Sequence, residues 1–318
     1  MGRRASSRFI APVLAAIVLG GCGAGAATSA TAPAGRSKAA TASGRSVAAV
    51  TAAAPPAPPA LAVKPVSQAG ASWQEVAFVH GRPAAWQSQR EGVTLLRFDQ
   101  ELVKVHLHAG EAEPSGTWRY GAEIEPSEIH HVIAAFNGGF KFTTGAAGWA
   151  VAGRVAEPLQ TGRGSIVTYK DGTTAIGAWN HGVPASGQPV YSVLQNLTLL
   201  VDRGAPAADA EGCIQSCWGA TVGSVDVTAR SALGIRGDGQ LVWAAGEHLT
   251  PLQLADALRG AGVQRAVELD INPDWVAAYL YRHGASGPAW SQVVPGQLGI
   301  AGHFLAPYSR DFFTVVAK

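Results

Sequence analysis

Beyond Trp73 the apolar positions recur every second residue more often than every third or fourth, which predicts strands over helices. Val93-Thr94-Leu95-Leu96-Arg97-Phe98 and Leu102-Val103-Lys104-Val105-His106-Leu107 are two such runs. Asp99-Gln100-Glu101 between them reads as a hairpin turn. A second hairpin is expected where Ile166-Val167-Thr168-Tyr169 and Thr173-Thr174-Ala175-Ile176 flank Asp171-Gly172. Both central residues of a tight primed turn there tolerate positive φ. The same device recurs around Asp238-Gly239, between the runs 232–236 and 240–243. Two helices are expected, over 126–134 and 249–258. In the second, Thr250 caps, Pro251 suits the first turn and Gln253 completes a capping box. Leu252, Ala255 and Leu258 share its apolar face, and Gly260 or Gly262 ends it. A short strand, Ala266-Val267-Glu268-Leu269-Asp270, follows and ends in acids. The pattern describes one α+β domain over 71–318, a largely antiparallel mixed sheet with a few helices.

The N-terminal part has no such period. Arg3, Arg4 and Arg8 precede a stretch, 9–21, that is almost wholly apolar or small and too short to span a bilayer comfortably. It closes with Leu19-Gly20-Gly21-Cys22, which resembles the lipobox of bacterial lipoproteins. By that resemblance residues 1–22 are a signal peptide and Cys22 becomes the lipid-carrying N-terminus; an ordinary cleaved signal peptide is the alternative. Arg3-Arg4 leaves both general and twin-arginine export open. Residues 23–70 are rich in Ala, Pro, Thr, Ser and Gly, with Ala54-Pro55-Pro56-Ala57-Pro58-Pro59 among them. Such a segment buries too little surface to offset its ordering entropy, so a disordered tether is expected.

Charge separates the same two parts. No Asp or Glu precedes Glu75, and the first 74 residues hold seven Lys and Arg. The remainder carries 17 basic and 22 acidic residues, a net of −5. A slightly acidic body without a basic cluster argues against a nucleic-acid partner. Three Cys rule out a disulfide framework and a Cys-rich zinc module. Cys213 and Cys217, in a polar, turn-prone segment outside the cytoplasm, are expected to form a local disulfide. A metal pair lacks a partner pair at ligand spacing, and a redox pair would prefer a two-residue gap.

Candidate chemistry lies in a few segments. In Phe136-Asn137-Gly138-Gly139-Phe140-Lys141 the glycines allow close backbone approach, Asn137 offers an amide and Lys141 a cation; a plain turn is the bland reading. Arg230, among apolar or small neighbours, needs an anionic partner, either a phosphodiester or Asp226. Strand alternation sends Glu268 and Asp270 to one face, where repulsion raises the pKa of one of them, the condition for an acid beside a base. Asn272 would hydrogen-bond a sugar, and Trp275 is the one Trp placed to stack on it. No cofactor is read from the sequence; a hard cation such as Ca²⁺ is the alternative for these oxygens, although their spacing matches no named loop.

In this order the segments resemble the phosphodiester glycosidase domain, the family that removes N-acetylglucosamine from a sugar 1-phosphodiester. The likeness covers about 93–307 and rests on Ala134-Ala135-Phe136-Asn137-Gly138-Gly139-Phe140, Leu197-Thr198-Leu199-Leu200-Val201-Asp202-Arg203-Gly204, Thr228-Ala229-Arg230-Ser231-Ala232-Leu233-Gly234, Leu249-Thr250-Pro251-Leu252-Gln253-Leu254-Ala255 and Glu268-Leu269-Asp270. It implies hydrolysis releasing sugar and a phosphomonoester, with Arg230 on the phosphate, Asp270 in acid–base or nucleophilic work beside Glu268, Asn137 orienting the sugar and Gly138 and Gly139 shaping the pocket. The family continues Leu-Asp-Gly-Gly, whereas this chain runs Leu269-Asp270-Ile271-Asn272-Pro273, which closes backbone approach. The expectation is therefore an extracytoplasmic, membrane-anchored hydrolase acting on a phosphosugar or envelope glycan. The alternatives are a catalytically degenerate glycan- or envelope-binding lipoprotein on the same fold and a purely structural lipoprotein.

Overall fold

A strand apolar on both faces needs cover on both faces, and the central strands of this fold have it. In Val93–Phe98, Val93 and Leu95 point one way and Leu96 and Phe98 the other, and all four are buried. Val242 and Ala244 alternate with Leu241, Trp243 and Ala245 in the same fashion along Leu241–Leu249. The computed structural model describes residues 72–146, 148–284 and 287–318, so the expected signal peptide, Cys22 and the tether lie outside the described residues. No described helix is long and apolar enough to cross a membrane.

Among the described residues three sheets form, and every pairing between their strands is antiparallel. The largest has eight strands; at its centre Val93–Phe98, Leu241–Leu249, Thr228–Arg236 and Val263–Glu268 lie side by side. A five-stranded sheet places Val132–Asn137 between Ala278–Gly284 and Phe312–Ala317, with Val103–His108 at one edge. Another is built around Gly164–Tyr169 and Val190–Gln195. One face of the eight-stranded sheet shares a core with both smaller sheets, through Phe98, Leu233 and Trp243 against Phe136, Phe313, Trp149 and Ile166. Its other face is covered by helix Pro251–Gly260 and by Trp218.

That helix is the only one among the described residues longer than four residues, so the fold is sheet-dominated rather than clearly α+β. Its capping box is present, with Thr250 accepting from the Gln253 amide and Gln253 reaching back to the Thr250 amide. Leu254, Ala255 and Leu258 are its buried stripe; Leu252, expected there, is only half-buried. The helix expected over 126–134 does not form. Residues from Pro126 make turns, and Val132–Asn137 is a strand buried at every position. Five consecutive apolar residues there, two of them β-branched, suit a pleated surface flanked on both sides.

The hairpin expected over 93–108 is also overturned. Val93–Phe98 pairs with Arg82–Arg90 and Leu241–Leu249, whereas Val103–His108 pairs with Phe312–Ala317 in a different sheet. The bend at Asp99 passes the chain from one layer to the next: Val93–Phe98, buried on both faces, and Val103–His108, alternately buried and half-buried, each pair with strands from elsewhere in the chain. The other two hairpins form as expected, Gly164–Tyr169 with Thr174–Ala178 and Thr228–Arg236 with Leu241–Leu249. Their turns differ in type: only Gly172 and Gly239 take positive φ, at 87° and 83°. Each is a three-residue loop closed by a left-handed glycine, with the preceding Asp bonding the backbone two residues on.

Candidate active site

Where two sheets end side by side, one hydroxyl joins them. Ser231, in the strand Thr228–Arg236, accepts at Oγ from Asn137 Nδ2 (2.9 Å) and from the Asp270 backbone N–H (3.2 Å). Its own N–H donates to the Asp270 carbonyl, and its carbonyl accepts from Leu269. Asn137, the last residue of Val132–Asn137, donates also to the Gly138 carbonyl and accepts from the Ala277 N–H. The amide is spent inside the protein and the residue is buried, so Asn137 braces the two sheets and has no donor left for a ligand. Ser231 carried no sequence signal beyond its place beside Arg230.

Asp270 follows the end of strand Val263–Glu268 and is buried, yet it lines a cleft of about 500 Å³. The N–H groups of Ile271 (2.7 Å) and Asn272 (2.8 Å) both donate to its Oδ1. Among the described residues no hydrogen bond reaches its Oδ2, which leaves one oxygen for a ligand. Burial pushes the Asp270 carboxyl up to about 6, against the pull of those two amides, Arg310 and Lys141. Asn272 in turn accepts from the Asp274 N–H, so two side-chain caps fold the loop tightly without the paired glycines.

Lys141, Asn272 and Trp275 line the same cleft. Lys141 Nζ lies 4.5 Å from the Trp275 ring centre, within cation–π reach. Phe140, Leu197 and Ile271 give the cleft an apolar wall. Gln215 and Ser216 form another, on the one-turn helix Ile214–Cys217. The Cys213–Cys217 disulfide closes across that helix. Gln215 donates to the Val225 carbonyl and the Asp226 carboxylate and accepts from the Thr221 N–H, which ties the wall to the loop behind it.

Arg230 and Glu268 stand behind this wall, both wholly buried and paired at 2.8 Å. Arg230 donates also to the carbonyls of Leu249, Trp218 and Asp226, so its partner is Glu268 and not the Asp226 carboxylate. Every arm of the fork is engaged, and neither residue lines the cleft. Burial drives the Glu268 carboxyl up, Arg230 pulls it down by charge and hydrogen bond, and Asp270 adds to the rise. Asp270 lies beyond the end of the strand and lines the cleft while Glu268 does not, so the two acids do not share one face of the site as expected; the Asp270 charge adds to the rise in Glu268, and burial is the first cause of the rise in both.

Sequence reasoning passed over the segment Tyr308, Arg310 and Asp311. Arg310 donates to the Gly139 carbonyl (2.7 Å) and to Glu113 (3.2 Å), and its guanidinium lies 4.8 Å from the centre of the Trp275 ring. Asp311 is buried against Gly138: a Cβ at that glycine would come within 2.6 Å of the Asp311 carboxyl. Gly138 is therefore needed for the approach of an acid, and Gly139 supplies a carbonyl to Arg310. The available signal was a pair of opposite charges, Arg310-Asp311, opening the apolar run Phe312–Ala317. Among the described residues no group of three or more His, Cys, Asp or Glu is placed to hold a metal ion.

No protein-family model matches this chain, and no curated protein matches it. Its fold is similar to that of the zebrafish N-acetylglucosamine-1-phosphodiester alpha-N-acetylglucosaminidase catalytic domain auto-inhibited by pro-peptide, at 16% identity and a TM-score of 0.47, over 78% of this chain and 82% of that one. A hypothetical protein from Synechocystis is similar at 11% identity and 0.43, over 78% of this chain and 64% of the other. A putative exported protein from Burkholderia pseudomallei follows at 13% and 0.35, over 74% and 75%. Likeness at this depth bears on the course of the backbone and not on activity.

Proposed function

We propose that this protein is a hydrolase that cleaves a sugar 1-phosphodiester in an envelope glycan or glycoconjugate, with Asp270 as the reacting carboxyl. One observation carries the reading: a buried carboxyl with one oxygen clamped by two amides and the other free, facing a cleft that also holds a cation over an aromatic ring. A carboxyl held near 6 accepts a proton from water and returns it near neutral pH, as a general base requires. Water loses its proton to Asp270 as its oxygen bonds to the anomeric carbon. The bond from that carbon to the bridging oxygen breaks, and the phosphomonoester departs with the electron pair. Lys141 would balance the phosphate charge, Trp275 would stack on a sugar face, and Asn272 would hydrogen-bond a hydroxyl. Arg230 and Glu268 act in this account from behind the wall, as a brace for the Asp270 turn. The resemblance of the five sequence segments to the phosphodiester glycosidase domain supports the same substrate class.

A second reading is favoured by the loop Ile271-Asn272-Pro273, which brings a branched apolar side chain to the cleft wall. On that reading the cleft holds a phosphosugar without turning it over. The two readings separate when the purified full-length chain is given a panel of sugar-1-phosphodiesters. Release of sugar together with phosphomonoester, lost in Asp270→Asn, supports the hydrolase; saturable binding with no release supports the binding protein. We further propose that the chain is exported and held at the membrane by a lipid on Cys22.

A further inference from the structure

The walls of the cleft beside Asp270 offer more carbon than a sugar and a phosphate can use. We propose that the phosphodiester taken there carries an apolar alcohol, an alkyl or prenyl chain, on the side of the phosphate away from the sugar. This rests on the hydrolase reading for the phosphate and the sugar, whereas the apolar occupant follows from the walls themselves. Ile271 directly follows the reacting carboxyl in the chain, and its N–H clamps Asp270 Oδ1 at 2.7 Å. Its side chain reaches from there to Gly219, where a Cβ would stand 2.6 Å from Ile271 Cδ1 and 3.1 Å from Phe140 Cζ. Two apolar side chains thus meet at Gly219, where any side chain would collide with both. Leu197, Ala146 and Ala220 extend the apolar surface along the same cleft of about 500 Å³.

Most polar side chains of the cleft are already engaged. Gln215 spends its amide hydrogens on Val225 and Asp226 and its carbonyl oxygen on Thr221. Thr144 Oγ1 donates to the Lys141 carbonyl and accepts from the Ala146 N–H. Asn272 Oδ1 accepts from the Asp274 N–H. Among the described residues that leaves Lys141 Nζ, Asp270 Oδ2, Asn272 Nδ2 and Ser216 Oγ for a ligand. Lys141 answers the phosphate, and the other three answer one sugar. A second sugar or a glycerol would set its hydroxyls against Phe140, Leu197 and Ile271, where each loses water and gains no partner. A hydrocarbon chain carries no such penalty and covers the half-buried Leu197 and Ile271.

Isothermal titration of the full-length chain with methyl, propyl and hexyl phosphate reads the alcohol subsite without turnover, with glycerol phosphate as the polar counterpart of the propyl ester. The dissociation constant should fall about three- to fourfold for each methylene added, and glycerol phosphate should bind more weakly than propyl phosphate. Leu197→Asn and Ile271→Asn should each flatten that dependence while leaving methyl phosphate nearly unchanged, and Ile271→Val should keep most of it. Lys141→Gln should weaken every ester by the same factor. Equal dissociation constants along the wild-type series overturn the inference, whatever the variants do. A dependence that persists undiminished in both asparagine variants puts the chain elsewhere on the protein and overturns it too. The hexyl and glycerol phosphodiesters of one sugar then separate the two readings by kcat/KM, which should be higher for the hexyl ester. Equal turnover of the two, lost in Asp270→Asn, would remove the apolar alcohol and keep the hydrolase. A chain-length dependence in binding with no turnover of either diester would remove the hydrolase and leave the apolar subsite.

Discussion

A carboxyl that is buried and raised costs stability when it ionises, and the sign of that cost is testable at single residues. Asp270 holds its proton to about 6 in the folded chain, against an ordinary 3.8. The folded state therefore binds that proton more tightly. The resulting stability is complete below about pH 4 and is lost as pH rises through about 6. Asp270→Asn should accordingly raise the unfolding free energy at pH 8 by on the order of 2–3 kcal/mol and change it little at pH 4, as urea unfolding would read. Equal effects at both pH values would mean that the carboxyl is not desolvated. The Arg230–Glu268 pair predicts the opposite behaviour on mutation. Removing one partner leaves an uncompensated buried charge, so Arg230→Met should cost about 3–5 kcal/mol in the same assay. A loss below about 1 kcal/mol would put that pair on a hydrated surface instead.

At the scale of elements, the one-turn helix Ile214–Cys217 is too short to hold itself, and its disulfide does the holding. Cys217→Ser should lower stability by about 2 kcal/mol on chain entropy alone and should weaken binding in the cleft, since Gln215 and Ser216 form one wall. Calorimetry with and without reductant would read the first effect and ligand titration the second; unchanged affinity would detach that wall from the site. Elements of this size were unevenly legible in the sequence. The capped helix Pro251–Gly260 and the two glycine-closed hairpins are encoded within a dozen residues each, so local chemistry sufficed. The false hairpin over 93–108 and the false helix over 126–134 both involve strands buried on two faces. Their partners lie far along the chain, and nothing local names them. The site divides in the same way. Asp270, Lys141, Asn272 and Trp275 announced themselves by type and do line the cleft. Arg230 had only its need for an anion, which Glu268 meets internally. Tyr308, Arg310 and Asp311 reach the Asn137-Gly138-Gly139 bend only through sheet pairing between Phe312 and Asn137.

The whole molecule sets a sheet-dominated body, net acidic, behind an N-terminal part without a single acid. If Cys22 carries a lipid, Cys22→Ala should move the protein from the membrane fraction to the soluble one on cell fractionation, and an unchanged distribution would remove the anchor from the account. The proposed chemistry depends on two sheets ending together, with Ser231 tying Asn137 to the turn that presents Asp270. Its most direct test is the rate at which the full-length chain and Asp270→Asn release phosphomonoester from a sugar-1-phosphodiester. Steady release by the wild type, reduced about 10²–10⁴-fold in the variant, is the result expected of a general base or nucleophile. Release at equal rates by both proteins would contradict it.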